Sequence, residues 1–195
     1  MSQRLEVSSS PPNVPVATPE AEFNSQDYRS VGIQNIAHFK EMALKSPRNR
    51  YRLCLHSDHD HLTQEMIICL KGFTYFQPHL HPANRSESYH MIEGRADIYL
   101  FDEKGEIIDI VRLGAPGTVG EDKASRSFMY RLSKPIYHLV IPRSEWTIYH
   151  EVLTGPWSKN EVVQYAPFAP PENDRDCILK FIKQVTGLTL DGLIK

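Results

Sequence analysis

Within "PHLHPANRSESYHMIEG", Pro78 to Gly94, one residue separates His79 from His81, and Glu87 follows six positions after His81. Side chains two apart on a strand project to one face, so both imidazoles can converge on a point. Neutral imidazole nitrogens suit Zn, Fe, Ni, Cu or Mn, and a carboxylate adds the hard oxygen that Fe(II) and Mn accept. Pro82, Ala83, Asn84 and Arg85 have turn character, so the chain can reverse there and bring Glu87 back on an adjacent strand. A fourth ligand has to come from elsewhere. His138 in "PIYHLVI" is the candidate, on a strand face shared with Ile136 and Val140. A lone histidine among apolar neighbours is more often a hydrogen-bonded core residue; convergence with the H-x-H pair favours a ligand. The expected cofactor is a divalent cation: Fe, Zn, Mn or Ni.

Three further residues are candidates for holding a substrate. Arg52 and His56 lie with Cys54 on one face of "RLCLH", where the guanidinium could clamp a carboxylate or phosphate through two hydrogen bonds. The competing reading is a solvent-exposed edge. Arg85 is a candidate pocket wall, as are Tyr75 and Tyr99. Cys54 would need a depressed pKa to act as a nucleophile, and a buried, inert thiol is the simpler reading. The remaining histidines and aspartates of "CLHSDHDH" read as a solvated loop rather than a second metal site. His90 is expected to be structural or to face outward.

The elements that would position these groups are mostly strands. "TQEMIICL" places Met66, Ile68 and Leu70 on one face, and "RADIYLFD" repeats the alternation through Ala96, Ile98 and Leu100. "EIIDIVRLG", "KPIYHLVIP" and "NEVVQYAPF" follow, with turn chemistry at "KG", "DEKG" and "APG". Many short strands with few helices between them predict an antiparallel β domain over 51–170. Helical spacing of Ile33, Ile36, Ala37, Phe39 and Ala43, stopped by Pro47, predicts a flanking helix within 29–50. In 171–195, Ile178, Phe181, Ile182 and Val185 predict a second helix, capped by Asn173 or Asp174 and ended at Gly187. Residues 1–28, rich in Ser, Pro and Glu, read as a mobile tail.

Bulk composition narrows the partners. A formal charge of -2 and the absence of a basic run give no electrostatic reason to expect nucleic acid or an anionic membrane. No window approaches the ~18 apolar residues of a membrane span. The N-terminal stretch lacks an apolar signal segment, and Cys54, Cys69 and Cys177 form no C-x-x-C pair. Reduced thiols and a cytoplasmic location are therefore expected. Exposed sheet edges make a homodimer the expected assembly.

The residues quoted above resemble the first motif of the cupin superfamily: a glycine, H-x-H, a spaced Glu and a second Gly. Gly72, His79, His81, Glu87 and Gly94 occupy those places, and His138 would stand for the histidine of the second motif. The match is closer to the small cupins of the WbuC family, through "RLCLH", "QEMIICL", "PHLHP", "ES", "EG", "FDEKG" and "HEVLTGPW", collinear over about residues 50–170. Pro135 and Ser133 precede His138 at unusual distances, and Pro142 stands where the second motif has Asn. With His138 left out, two histidines and one carboxylate still suit iron. The resemblance implies a mainly β, antiparallel jelly-roll barrel with the metal in its mouth, and a small, sugar-related molecule as ligand or substrate. It leaves two functions open: a metal-dependent enzyme, or a non-catalytic metal- and ligand-binding or regulatory module. A metal-free epimerase is a poor fit to H-x-H plus Glu.

Overall fold

A computed structural model of the 195-residue chain describes residues 20–118, 126–158 and 162–193. Among the described residues eleven strands form two sheets, and three helices lie outside them. The strands are β1 Ala21–Phe23, β2 Arg50–Cys54, β3 Thr63–Lys71, β4 His79–Leu80, β5 Glu87–Glu93 and β6 Arg95–Phe101. The others are β7 Ile107–Gly114, β8 Met129–Leu132, β9 Tyr137–Pro142, β10 Trp146–Thr154 and β11 Gln164–Tyr165. Helix α1 spans Ile33–Lys45, α2 Arg175–Thr186 and α3 Leu190–Leu193.

One sheet runs β1-β2-β3-β10-β5-β8 and the other β11-β4-β9-β6-β7. From β3 to β10 the chain passes repeatedly between the two sheets, which is the strand order of a jelly roll. The pairings are antiparallel except β1 with β2. The expected jelly-roll barrel takes the form of a pair of facing sheets, whose strands do not hydrogen-bond into one closed ring.

Alternation decides what each face meets. Met66, Ile68 and Leu70 of β3 point between the sheets with Tyr89, Met91, Ile98, Val140 and Tyr149. The intervening Ile67 and Cys69 point outward, where Phe39 and Ala43 of α1 cover them. "MIICL" is therefore apolar throughout because both of its faces are buried. On the other sheet, Leu139 and Ile141 face outward against Ile178 and Ile182 of α2. Asp174 caps α2 by accepting from the Cys177 N–H at 3.1 Å, and Gly187 ends it in a left-handed conformation with φ 71°. Gly94 turns β5 into β6 with φ +76°, and a Cβ there would stand 2.0 Å from the Trp146 carbonyl oxygen.

Ala21–Phe23 belong to the stretch read as a mobile tail, yet they form β1 against β2. Glu20 stands beside Arg48 and Arg50, which also pair with Glu172. That ion cluster and the parallel pairing are long-range and leave no local sequence pattern. Residues 1–19 of the tail lie outside the described residues.

Phe39 anchors α1, being 1% exposed and stacked on Tyr51 at 5.9 Å. Its replacement by alanine is expected to destabilise the fold by about 3–5 kcal/mol, from lost transfer energy plus a cavity. Urea unfolding should show a lower midpoint with an unchanged slope.

Candidate metal centre

His79 on β4 is the cross-strand neighbour of His138 on β9, so both project from the five-stranded sheet. His81 follows β4 on the same face as His79. A turn closed by the Arg85 N–H donating to the Pro82 carbonyl at 2.9 Å then carries the chain across to the other sheet. Glu87, the first residue of β5, thus meets the histidines from the facing sheet, not from an adjacent strand. The potential ligand atoms of His79, His81, Glu87 and His138 all lie within 4.8 Å of one another.

Each imidazole is oriented by its backbone. Nδ1 of His79 is 3.0 Å from the Gln77 carbonyl, that of His81 is 2.7 Å from Val162, and that of His138 is 3.1 Å from Ile136. Donation from Nδ1–H to those carbonyls leaves each Nε2 with its lone pair, the tautomer a metal ligand needs. His81 Nε2 is 3.2 Å from Glu87 Oε1. His138 Nε2 is 3.1 Å from Glu87 Oε2. The second pair is within bonding distance but lacks hydrogen-bond geometry, and both atoms are buried without a partner. Two electron-rich atoms face each other in a buried site, an arrangement that a cation compensates and an apolar core does not.

The charges respond accordingly. Burial drives the His79 pKa down to about 3, with His138 adding to the fall and Glu87 opposing it. Burial also disfavours charge on His81, but the hydrogen bond and negative charge of Glu87 outweigh it and the pKa rises. Glu87 would be raised by burial, yet His138 and His81 hold it well below the usual carboxylate range.

A cavity of about 200 Å³ opens onto the four residues, walled also by Arg50, Arg52, Phe76, Tyr89, Tyr149 and Glu151. Arg52 therefore lies where a substrate could reach it. His56 lies in the wall of a second cavity, with Nδ1 2.9 Å from the Glu65 carbonyl. Arg85 lines neither cavity and donates to the backbone carbonyls of Thr154 at 2.6 Å and Pro156 at 2.7 Å. Tyr75 and Tyr99 pack under α2. His90 faces His150 across the strands, ring centroids 5.4 Å apart, and takes no part in the centre. Among the described residues no second group of His, Cys, Asp or Glu gathers at metal-ligand spacing.

Glu151 had no signal in the sequence because β10 mixes polar and apolar residues on both faces. Burial and the charge of Glu87 push its carboxyl up to about 8, against Arg52 and His81. Its ionisation is easier in the unfolded chain than in the fold, so stability is full below the unfolded value of 4.5 and declines as pH rises through about 8. In metal-stripped protein, Glu151→Gln is expected to raise Tm by several degrees at pH 9 and little at pH 5. Equal shifts at both pH values would contradict that sign.

Residues 32–113 match the model of a family described as a domain of unknown function, DUF6016. No curated protein matches the chain in sequence. Among solved structures, a Shewanella oneidensis protein is similar at 11% identity and TM-score 0.46, over 70% of this chain and 77% of that one. Oxalate oxidase in complex with the substrate analogue glycolate is similar at 10% identity and TM-score 0.44, over 76% and 70% of the two chains. A cupin superfamily protein from Desulfitobacterium hafniense is similar at 8% identity and TM-score 0.39, over 54% and 76%. Cupin-superfamily proteins are thus among the structural neighbours. Among the described residues no helix is long and apolar enough to cross a membrane.

Proposed function

We propose that the chain is a metal-binding cupin in which His79, His81, Glu87 and His138 hold a divalent cation for a small molecule entering the cavity. The observation that carries this reading is the buried, unpartnered contact between Glu87 Oε2 and His138 Nε2, flanked by imidazoles whose Nδ1 atoms are all tied to backbone carbonyls. Three nitrogens and one carboxylate suit Fe, Mn, Zn or Ni. When bound, such an ion polarises a coordinated oxygen or lowers the pKa of bound water. The chain's own contribution is orientation. Gln77, Val162 and Ile136 fix the rings, while Tyr89, Tyr149 and Leu153 limit water around Glu87. Arg52 offers positive charge at the cavity wall.

Within this reading the protein is a metal-dependent enzyme of the WbuC kind, with a small polar, sugar-related molecule as the substrate that resemblance implies. The unpaired thiols of Cys54, Cys69 and Cys177 support a reducing compartment such as the cytoplasm. Elemental analysis of untagged protein tests the reading. About one equivalent of a transition metal per chain, lost on chelation and regained on reconstitution, is expected. A chain that takes up no Fe, Mn, Zn or Ni at neutral pH would refute it.

A further inference from the structure

The inner face of the six-stranded sheet carries Arg50, Glu87 and Glu151 among its apolar residues, and at its margin the exposed Arg52. Cys54, Met66 and Tyr89 lie in register with Glu151 across β2, β3, β10 and β5. Ile68, Tyr149 and Met91 lie in register with Arg52. A core needs no charge at the Glu151 position, and the exposed Arg52 makes no ion pair among the described residues. Its one side-chain contact of note is Nη1 to the Met66 sulfur at 3.9 Å. Arg50, two residues earlier on the same face, is by contrast paired with both Glu20 and Glu172.

Arg52 and Glu151 also mark a boundary. They line both the metal-side cavity and a second cavity of about 230 Å³, and Leu153 and Trp157 are shared as well. Either volume alone falls below the ~300 Å³ at which small-molecule sites begin, whereas the adjoining pair exceeds it. The second cavity is aromatic. Phe23 stands edge-on to His56 and His59 at 5.6 and 5.2 Å, and Trp157 lies 4.8 Å from His59 at 37°. Flat surfaces beside an unpaired guanidinium complement a ligand that joins a ring to an oxyanion.

We propose that the two cavities form one site for a ring-bearing oxyanion, sugar-linked or not, with its carboxylate or phosphate on Arg52 and its ring against Phe23, His59 and Trp157. The proposal rests on the metal-centre reading for what lies beyond Arg52, but the Arg52 subsite itself needs no cation. Ligand-observed NMR titrations of full-length protein, metal-loaded and metal-stripped, test it with 3-phenylpropionate and phenyl phosphate. Acetate and inorganic phosphate are the ring-free controls. At least one ring-bearing probe should bind about tenfold or more tighter than its control, and which one does so identifies carboxylate or phosphate. Arg52→Met should weaken that binding by about tenfold with metal content unchanged. Trp157→Ala, or Phe23→Ala if the first does not fold, should bring the probe to the level of its control. Failure of both ring-bearing probes to bind folded wild-type protein, or wild-type affinity in Arg52→Met, overturns the proposal. Arg52-dependent binding by a chain that retains no metal would sink the metal centre and leave this subsite standing.

Discussion

His81→Ala is expected to lower metal affinity by about 100-fold or more while leaving the sandwich folded. Loss of an outer partner of a metal ligand already costs about 10–100-fold, and His81 is placed to be a ligand itself. Its Nε2 is 3.2 Å from Glu87, and its Nδ1 is fixed at 2.7 Å from the Val162 carbonyl. His81 contributes to none of the three hydrophobic clusters, so the sheets keep their packing without it. His90→Ala is the matched control, because that imidazole meets His150 on the outer face. Metal per chain and far-UV circular dichroism should therefore separate the two variants. His81→Ala should be folded and nearly metal-free, and His90→Ala folded and loaded. A folded His81→Ala protein with full occupancy would show that the four side chains converge without ligating.

Much of the centre could be read along the chain because its logic is local. A spacing of two puts His79 and His81 on one face, and Pro82 to Ser86 announce the turn before Glu87. His138 could be placed on an inward face from its neighbours Ile136 and Val140, and it sits directly across from His79. The origin of Glu87 on the facing sheet could not be read so. A turn says that the chain reverses, but not whether it rejoins its own sheet or crosses to the other. The same limit hid Arg50, Glu151 and β1. Arg50 and Glu20 matter through an ion cluster that joins residues far apart in sequence, and β1 exists because β2 offers an unpaired edge. Glu151 looks ordinary in "WTIYHEVLT" until the β3–β10 register places it opposite Met66, facing inward. Arg52 was legible as a residue sharing a face with Cys54. Its side chain is exposed, as a solvent-facing edge would have it, and its importance came only with its place in the walls of both cavities.

Metal retention is expected to weaken steeply as pH falls from 8 toward 5, with the three imidazoles contributing unequally. Each must be neutral to ligate, so protons and cation compete for the same Nε2 atoms. Burial holds His79 near 3, so it is already neutral throughout this range and releases no proton on binding. Glu87 raises His81 above its usual 6.5, so His81 keeps its proton to a higher pH than a free imidazole does, and the cation has to displace it. Apparent affinity should thus fall about tenfold per pH unit for each proton displaced, and fewer than three protons should leave in total. The same shifts set the stability of the metal-free chain with opposite signs. The depressed His79 adds stability that is present above 6.5 and lost as pH falls toward 3. The raised His81 adds stability that is present below 6.5 and lost as pH rises through its folded value. Calorimetric titration with Zn in buffers of different ionisation enthalpy, repeated at several pH values, counts the protons. Release of three protons at pH 6, or retention at pH 5 equal to that at pH 8, would show that Glu87 and burial do not divide the histidines in this way.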